Sequence, residues 1–420
     1  MSAQQNIIER AAQVMPGGGF GNFDAEIFIE RGEGAHVWDA DGNEYIDYLI
    51  GSGPMVLGHG HPEVLDAVKS QLGKGMTFFA NNPLGIELAE EICNAVACAE
   101  QVRFVSTGSE ADMYAMRLAR AATGRDKIIK FEGGYHGMSS EAQMSLAPER
   151  PGNFPQAVPD SAGIPAAVAE QMLIAPYNDV DFARSLADEH AGEVAAIIVE
   201  PLQRIIPPAP GFLQALRDLC TEKGLLLIFD EVVTGFRLAY GGAQEYYGVV
   251  PDICTLGKII GGGFPLAAIA GKADVMKHFD KGKAGTGGFL MQIGTLSGNP
   301  IAAAAGLKTM EILRRPGQYE KLFSNGETIM KALNEHLSAA GHAHAVSGTP
   351  PMFDVVFTDK PIVNYRDVLN SDHDKVARLN KVLRARKILK SAGKTYISLA
   401  LTDDDLSQTV DAIAEAAAAI

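Results

Sequence analysis

Residues 194–231 read VAAIIVEPLQRIIPPAPGFLQALRDLCTEKGLLLIFDE, and this stretch decides the fold. Val194 to Val199 is a short, wholly apolar run, the pattern of a strand covered on both faces. Phe212, Leu213, Leu216, Leu219 and Cys220 then fall on one helical stripe, which Gly224 stops before a second apolar run, Leu225 to Phe229. Strand, helix, strand is the unit of a parallel sheet. Its right-handed crossover puts Glu200 and Asp230 on one carboxyl edge, where open α/β sheets bind ligands.

The same alternation continues outward. Arg103 to Ser106 predicts a strand, Ser109 to Ala122 a helix closed by Gly124, and Lys127 to Phe131 a further strand. Asp252 to Leu256 and Leu266 to Ala270 are short apolar runs flanking the glycine-rich Gly257 to Pro265. The chain ends differ: short strands at Gly34 to Trp38 and Glu44 to Tyr48, then helix-rich sequence from residue 301 until Tyr396 to Leu401. The expected architecture is α/β, with a large domain built on a mostly parallel central sheet over residues 60–300 and a small α+β domain assembled from residues 1–59 and 301–420.

Composition narrows the function. With 36 Lys+Arg against 51 Asp+Glu the formal charge is −15, which disfavours nucleic acid and anionic membrane surfaces as partners. No apolar run approaches the roughly 20 residues that span a bilayer, and Met1 to Arg10 lacks the apolar core of a secretory leader. The four cysteines form no disulfide framework, and Cys220 and Cys254 sit in apolar contexts that read as core. The expected location is the cytoplasm. Glycine, at 45 of 420 residues, exceeds the usual ~7% and asks for tight turns or close backbone approach to something.

Several segments carry chemistry, each with a plainer reading beside it. Lys258 follows an apolar strand in Leu256-Gly257-Lys258, where partial desolvation would make its amine nucleophilic; a surface lysine at a strand end fits the same spacing. Asp230 ends a fully apolar run and needs a partner, either a protonated ring nitrogen, a helix cap, or Lys258 itself. Thr107-Gly108-Ser109 stands where a strand hands over to a helix, as a phosphate cradle would, and Ser109 also fits a simple N-cap with Asp112 at N3. Tyr135 and His136 lie in the bend Gly133-Gly134-Tyr135-His136-Gly137, with Tyr135 suited to stack on a flat heterocycle supported by His136, or to pack in a turn. His59 and His61 lack HExxH or paired Cys/His spacing, and Pro62 opens a helix, so no metal is expected. Walker A and G-x-G-x-x-G motifs are absent, which argues against P-loop enzymes and Rossmann dehydrogenases.

Taken in order, Pro16-Gly17-Gly18, Trp38-Asp39-Ala40-Asp41-Gly42, Gly58-His59-Gly60-His61-Pro62, Thr123 to Gly133, Phe229-Asp230-Glu231-Val232, Thr255-Leu256-Gly257-Lys258 and Gly294 to Pro300 resemble the class III aminotransferases. These are fold type I enzymes dependent on pyridoxal 5'-phosphate, and the nearest likeness is to glutamate-1-semialdehyde 2,1-aminomutase. The resemblance implies that Lys258 forms an imine with the cofactor and that Asp230 keeps its ring nitrogen protonated. It implies that Gly108 and Ser109 bind the phosphate, that Tyr135 and Val232 cover the ring faces, and that Glu200 stands near the ring hydroxyl. It further implies a homodimer with a shared active site, Thr295 reaching the partner's cofactor phosphate.

The departures are informative. The aminomutases carry an arginine for the substrate carboxylate in a Ser-Pro-Val-Arg stretch after Pro-Gly-Gly; here that place reads Gly19-Phe20-Gly21-Asn22-Phe23. They also place a Trp where Ser52 precedes Gly53-Pro54, and a Glu near Gly393. A site built on a carboxylate pair discriminates through that pair. The expected activity is therefore transamination between an amine or a β- or ω-amino acid and a keto acid. The expected pocket is lined by Phe20, Phe23, Ser52 and Met55, with Arg150 or Lys394 as a replacement cation. Intramolecular amino transfer by an aminomutase is the alternative.

Overall fold

The computed structural model describes residues 2–285 and 288–420. The chain divides into two compact units, Met1–Pro62 with Glu320–Asp359 and Asp372–Ile420, and Glu63–Tyr319 with Lys360–Ser371. The division falls after residues 62 and 319 rather than after 59 and 300. The helix Pro300–Leu313, expected in the smaller domain, lies in the larger unit because it is apolar nearly all round and packs on the helix Pro83–Ala95 and the turn Lys258–Gly261. A segment from far down the chain, Lys360–Ser371, joins that unit as well.

The larger unit is built on a seven-stranded sheet. Its order from edge to edge is Gln101–Val105, Ala267–Gly271, Ile253–Leu256, Leu226–Glu231, Val194–Val199, Lys127–Phe131, Met172–Ala175. Ala267–Gly271 alone runs against its neighbours. Val194–Val199 and Ile253–Leu256, which flank the middle strand, are buried at every position, as an apolar strand covered by helices on both faces must be. The strands expected at 194–199 and 127–131 appear with those bounds, and the helix Phe212–Lys223 ends at Gly224 in the left-handed conformation. The edge strand Met172–Ala175 went unread: four residues are too short a run to separate from a loop by pattern.

Helix Pro300–Leu313 presses so closely on the turn after Lys258 that a Cβ at Gly306 would stand 2.0 Å from the Ile260 carbonyl oxygen. Gly306→Ala therefore forces backbone apart. We expect it to destabilise the protein by about 1–3 kcal/mol, seen as a lower unfolding midpoint in scanning calorimetry; an unchanged midpoint would mean that this contact is not made.

The smaller unit holds a four-stranded sheet, Ile29–Glu33, His36–Asp39, Glu44–Asp47 and Ile388–Leu389, and a three-stranded one, Ala345–Thr349, Met352–Val356 and Thr395–Tyr396. Thr395–Tyr396 pairs with Met352–Phe353 where the helix-rich sequence was expected to end, and the Ala345–Val356 hairpin lies within sequence expected to be helical. Asp354 and Lys390 form a buried ion pair at 2.9 Å. His59 Nε2 lies 2.8 Å from Asp47 Oδ2. Among the described residues no helix is long and apolar enough to cross a membrane.

Candidate active site

Four parallel strands deliver their carboxyl ends to one edge of the larger unit's sheet. Leu226–Glu231 carries Asp230 one residue before its end, Val194–Val199 is followed by Glu200, Lys127–Phe131 by the bend to His136, and Ile253–Leu256 by Gly257-Lys258. Asp230 is 5% exposed. Its Oδ2 lies 2.8 Å from His136 Nδ1, and its Oδ1 accepts from the Val232 N–H at 3.1 Å and from Thr255 Oγ1 at 3.4 Å. His136 therefore braces Asp230, where the sequence reading had it supporting Tyr135. Its other ring nitrogen, Nε2, is buried and has no hydrogen-bond partner among the described residues. Facing a carboxylate, which can only accept, Nδ1 carries a proton and donates it to Asp230. Lys258 is held at φ 49, left-handed backbone that costs a non-glycine residue on the order of 1 kcal/mol or more and concentrates at functional sites.

The helix Gly108–Thr123 starts one residue earlier than expected. Its N-cap is Thr107, whose hydroxyl accepts from the Glu110 N–H at 3.1 Å while Glu110 Oε2 accepts from the N–H groups of Thr107 and Ser106, each at 2.9 Å. This is a complete capping box. Ser109 is thus not the cap; it sits in the first turn, and its hydroxyl accepts from the Met138 N–H at 3.2 Å. Gly137 makes that approach possible, since a Cβ there would stand 2.5 Å from Ser109 Cα. Val232 is wedged between two glycines, its Cγ1 2.9 Å from where Gly108 would carry a Cβ and 3.2 Å from the same point at Gly257.

Tyr135 is 37% exposed, and its N–H donates to Glu200 Oε2 at 2.8 Å. The bend that carries it is fastened from two sides. Gln203 Nε2 donates to the Glu132 carbonyl at 2.9 Å. Arg366, on the far segment, grips the Glu132 carboxylate with Nε at 2.7 Å and Nη2 at 3.0 Å, and donates to the Gly152 carbonyl at 2.7 Å. Tyr365 lies so close that a Cβ at Gly133 would stand 2.5 Å from its own Cβ. Arg204, also in left-handed backbone at φ 61, places its guanidinium 5.2 Å from the Tyr135 ring centre.

Sequence reasoning missed Arg204, Arg366 and the Thr255–Asp112 contact, in which Thr255 Oγ1 lies 2.6 Å from Asp112 Oδ1. The one available signal was Asp112 itself, an acid on an otherwise apolar inner face that holds Ala111, Ala115 and Met116.

The remaining candidates fall on both units. Thr295 is exposed on the larger unit, lining a cavity of about 410 Å³ with Phe78, Phe79, Ile293 and Asn299 but without Lys258 or Asp230. Arg150 is exposed on the same unit. Phe20, Phe23, Ser52, Met55 and Lys394 belong to the smaller unit. Within it Phe20 is 82% exposed. Phe23 packs on Val37, Tyr45 and Leu389, Ser52 holds φ 64, and the Lys394 ammonium lies 5.9 Å from the Tyr396 ring centre.

A family model described as aminotransferase class-III matches residues 21–416. An omega-transaminase from Sphaerobacter thermophilus is 35% identical, covering 100% of this chain and 98% of its own, with a TM-score of 0.94. A beta-phenylalanine aminotransferase from Variovorax paradoxus is also 35% identical, over 98% of this chain and 93% of its own, with a TM-score of 0.87. A glutamate-1-semialdehyde aminomutase from Pseudomonas aeruginosa PAO1 shares the fold at 23% identity, 98% and 93% coverage and a TM-score of 0.87.

Proposed function

This chain belongs to the class III aminotransferases, and from that premise we propose that it moves an amino group between an amine or a β- or ω-amino acid and a keto acid. It is a pyridoxal-phosphate-dependent enzyme, and the residues present fit that group. A buried carboxylate braced by a histidine suits a protonated ring nitrogen, a capped helix N-terminus suits a phosphate dianion, and a lysine stands on the same sheet edge. When bound, the cofactor supplies an electron sink for the bond broken at the substrate carbon.

The chain's own groups do the rest. In this reading Lys258 Nζ would hold the cofactor and then take the proton from the substrate carbon and deliver it to the cofactor's C4′ carbon, the reverse transfer completing the second half-reaction. Asp230 keeps a proton on the ring nitrogen, and His136 keeps Asp230 aimed. The cap and the helix ladder take the N–H groups of Glu110 and Ala111. Those of Gly108 and Ser109, with the positive end of the helix, hold the phosphate. Tyr135 and Val232 would cover the faces of the ring, with Glu200 holding the Tyr135 backbone in place through its N–H. The observation that carries the reading is the buried Asp230–His136 pair on the edge that also bears Lys258.

Two finer points belong to the same reading. The exposed face around Thr295, with exposed Phe78, Phe79 and Ile293, receives a second copy of the chain, so that Thr295 contributes to the partner's phosphate site and the enzyme is a homodimer, cytoplasmic as its sequence suggests. The second point is the substrate carboxylate. With no arginine at residues 19–23, Arg204, which no carboxylate pairs among the described residues, is the cation beside Tyr135 that binds the keto acid or amino acid. Arg204→Ala should raise KM for the keto acid about 10- to 100-fold, the worth of a charge-assisted hydrogen bond, with kcat within a few-fold. An unchanged KM would remove Arg204 from the substrate site.

The test of the function is direct. Enzyme loaded with the aminated cofactor is mixed with pyruvate or 2-oxoglutarate, and the appearance of alanine or glutamate is followed against a panel of amine and β-amino-acid donors. Amination of neither keto acid, together with turnover of glutamate-1-semialdehyde, would replace this reading with the aminomutase.

A further inference from the structure

Asp230 does not stand alone beneath the ring-nitrogen site. Behind it, on the inner face of helix Gly108–Thr123, Asp112 is 2% exposed among the fully buried Ala111, Ala115 and Met116. One hydroxyl touches both acids: Thr255 Oγ1 lies 2.6 Å from Asp112 Oδ1 and 3.4 Å from Asp230 Oδ1. A hydroxyl has one proton to give, so it cannot serve two carboxylates at once. Two ionised carboxylates sharing a dry site repel, and one of them takes up a proton. Asp230 has the better claim to the charge, since the Val232 N–H and His136 Nδ1 already face its oxygens. Asp112 is turned to the apolar core. Burial, and then the neighbouring Asp230, hold its carboxyl well above the usual carboxylate range. Glu200 acts in the same direction, and Lys130, fully buried and bonded to the carbonyls of Ala142 and Met144, is the nearby base whose own affinity for a proton burial reduces.

We propose that Asp112 is a positioning residue of this site: as a neutral acid it donates to Thr255 Oγ1, Thr255 donates in turn to Asp230 Oδ1, and the pair's single negative charge is kept on Asp230, facing the cofactor nitrogen. The inference rests on the cofactor site proposed above. The relay gives Asp230 a third donor, fixes its carboxylate plane, and ties the strand that carries Asp230 to the helix that holds the phosphate. Both ends of the cofactor are thereby set by one buried connection.

The test compares Asp112→Asn, which keeps an uncharged donor, with Asp112→Ala and Thr255→Val, which break the relay. Each holoenzyme is loaded with pyridoxal phosphate labelled with 15N in the ring; the readouts are the ring-nitrogen chemical shift and the cofactor dissociation constant. Asp112→Asn should bind within about twofold of the unaltered enzyme and keep its protonated-nitrogen shift. Asp112→Ala and Thr255→Val should each bind about tenfold more weakly, the worth of one buried hydrogen bond, with the shift displaced toward the unprotonated ring. A shift that stays put in Thr255→Val and Asp112→Ala would leave the relay a merely structural tie and overturn the proposal. So would Asp112→Asn behaving like Asp112→Ala, because Asp112 would then carry charge. Failure of the unaltered chain to bind the cofactor would instead sink the cofactor site itself.

Discussion

Lys258→Ala should lose at least about 10⁴-fold in amino transfer, because one side chain both anchors the cofactor and moves the proton, and general acid–base work alone is worth up to about that factor. The same variant should still take up pyridoxal phosphate, since the groups placed at the phosphate and ring nitrogen are untouched. Borohydride reduction followed by mass spectrometry separates the two roles. The unaltered chain gains one cofactor mass at the peptide containing Lys258, and the alanine variant gains none. Lys258→Arg should fare no better, for a guanidinium keeps its proton at any working pH. Cofactor mass found on another lysine would remove Lys258 from its assigned place.

Asp230→Asn should be the second-largest loss. The substitution keeps the shape and a hydrogen-bonding group toward His136 but leaves the ring nitrogen without a counter-charge in a dry site. Breaking one side of a buried charge pair costs about 3–5 kcal/mol, so kcat/KM should fall by roughly 10²- to 10⁴-fold at 1.36 kcal/mol per decade. Unlike Lys258→Ala, this variant should still give the reduced cofactor adduct. A fall of less than tenfold would show that the ring nitrogen does not depend on Asp230.

The residues that were legible share a reason. Asp230, Glu200 and Lys258 each stand near or just beyond the end of a buried, largely apolar strand, and a polar residue at that boundary announces itself in sequence. The helix cap was misplaced because two hydroxyls, Thr107 and Ser109, compete for it, and only the position of Glu110 decides between them. Arg366 was beyond reach for a different reason: its partner Glu132 is 234 residues away, and no local pattern records a pairing across that distance. Arg204 owes its place to a backbone turn with positive φ, which arginine does not advertise. The short edge strand and the Ala345–Val356 hairpin show the same limit, since pairing in sheets is settled by partners distant along the chain.

The grip of Tyr365 and Arg366 on the Glu132–Gly133 bend also sets a timetable. Chains emerge from the ribosome amino end first and domains fold as they appear, yet the bend that carries Tyr135 gains its second fastening only once residue 366 has left the exit tunnel. By then every strand of the seven-stranded sheet has been made. A fragment stopped after residue 319 would own Lys258, Asp230 and the capped helix and still present an unfastened aromatic wall. The wall that carries Tyr135 is thus completed by a segment made after every strand of the sheet it stands on.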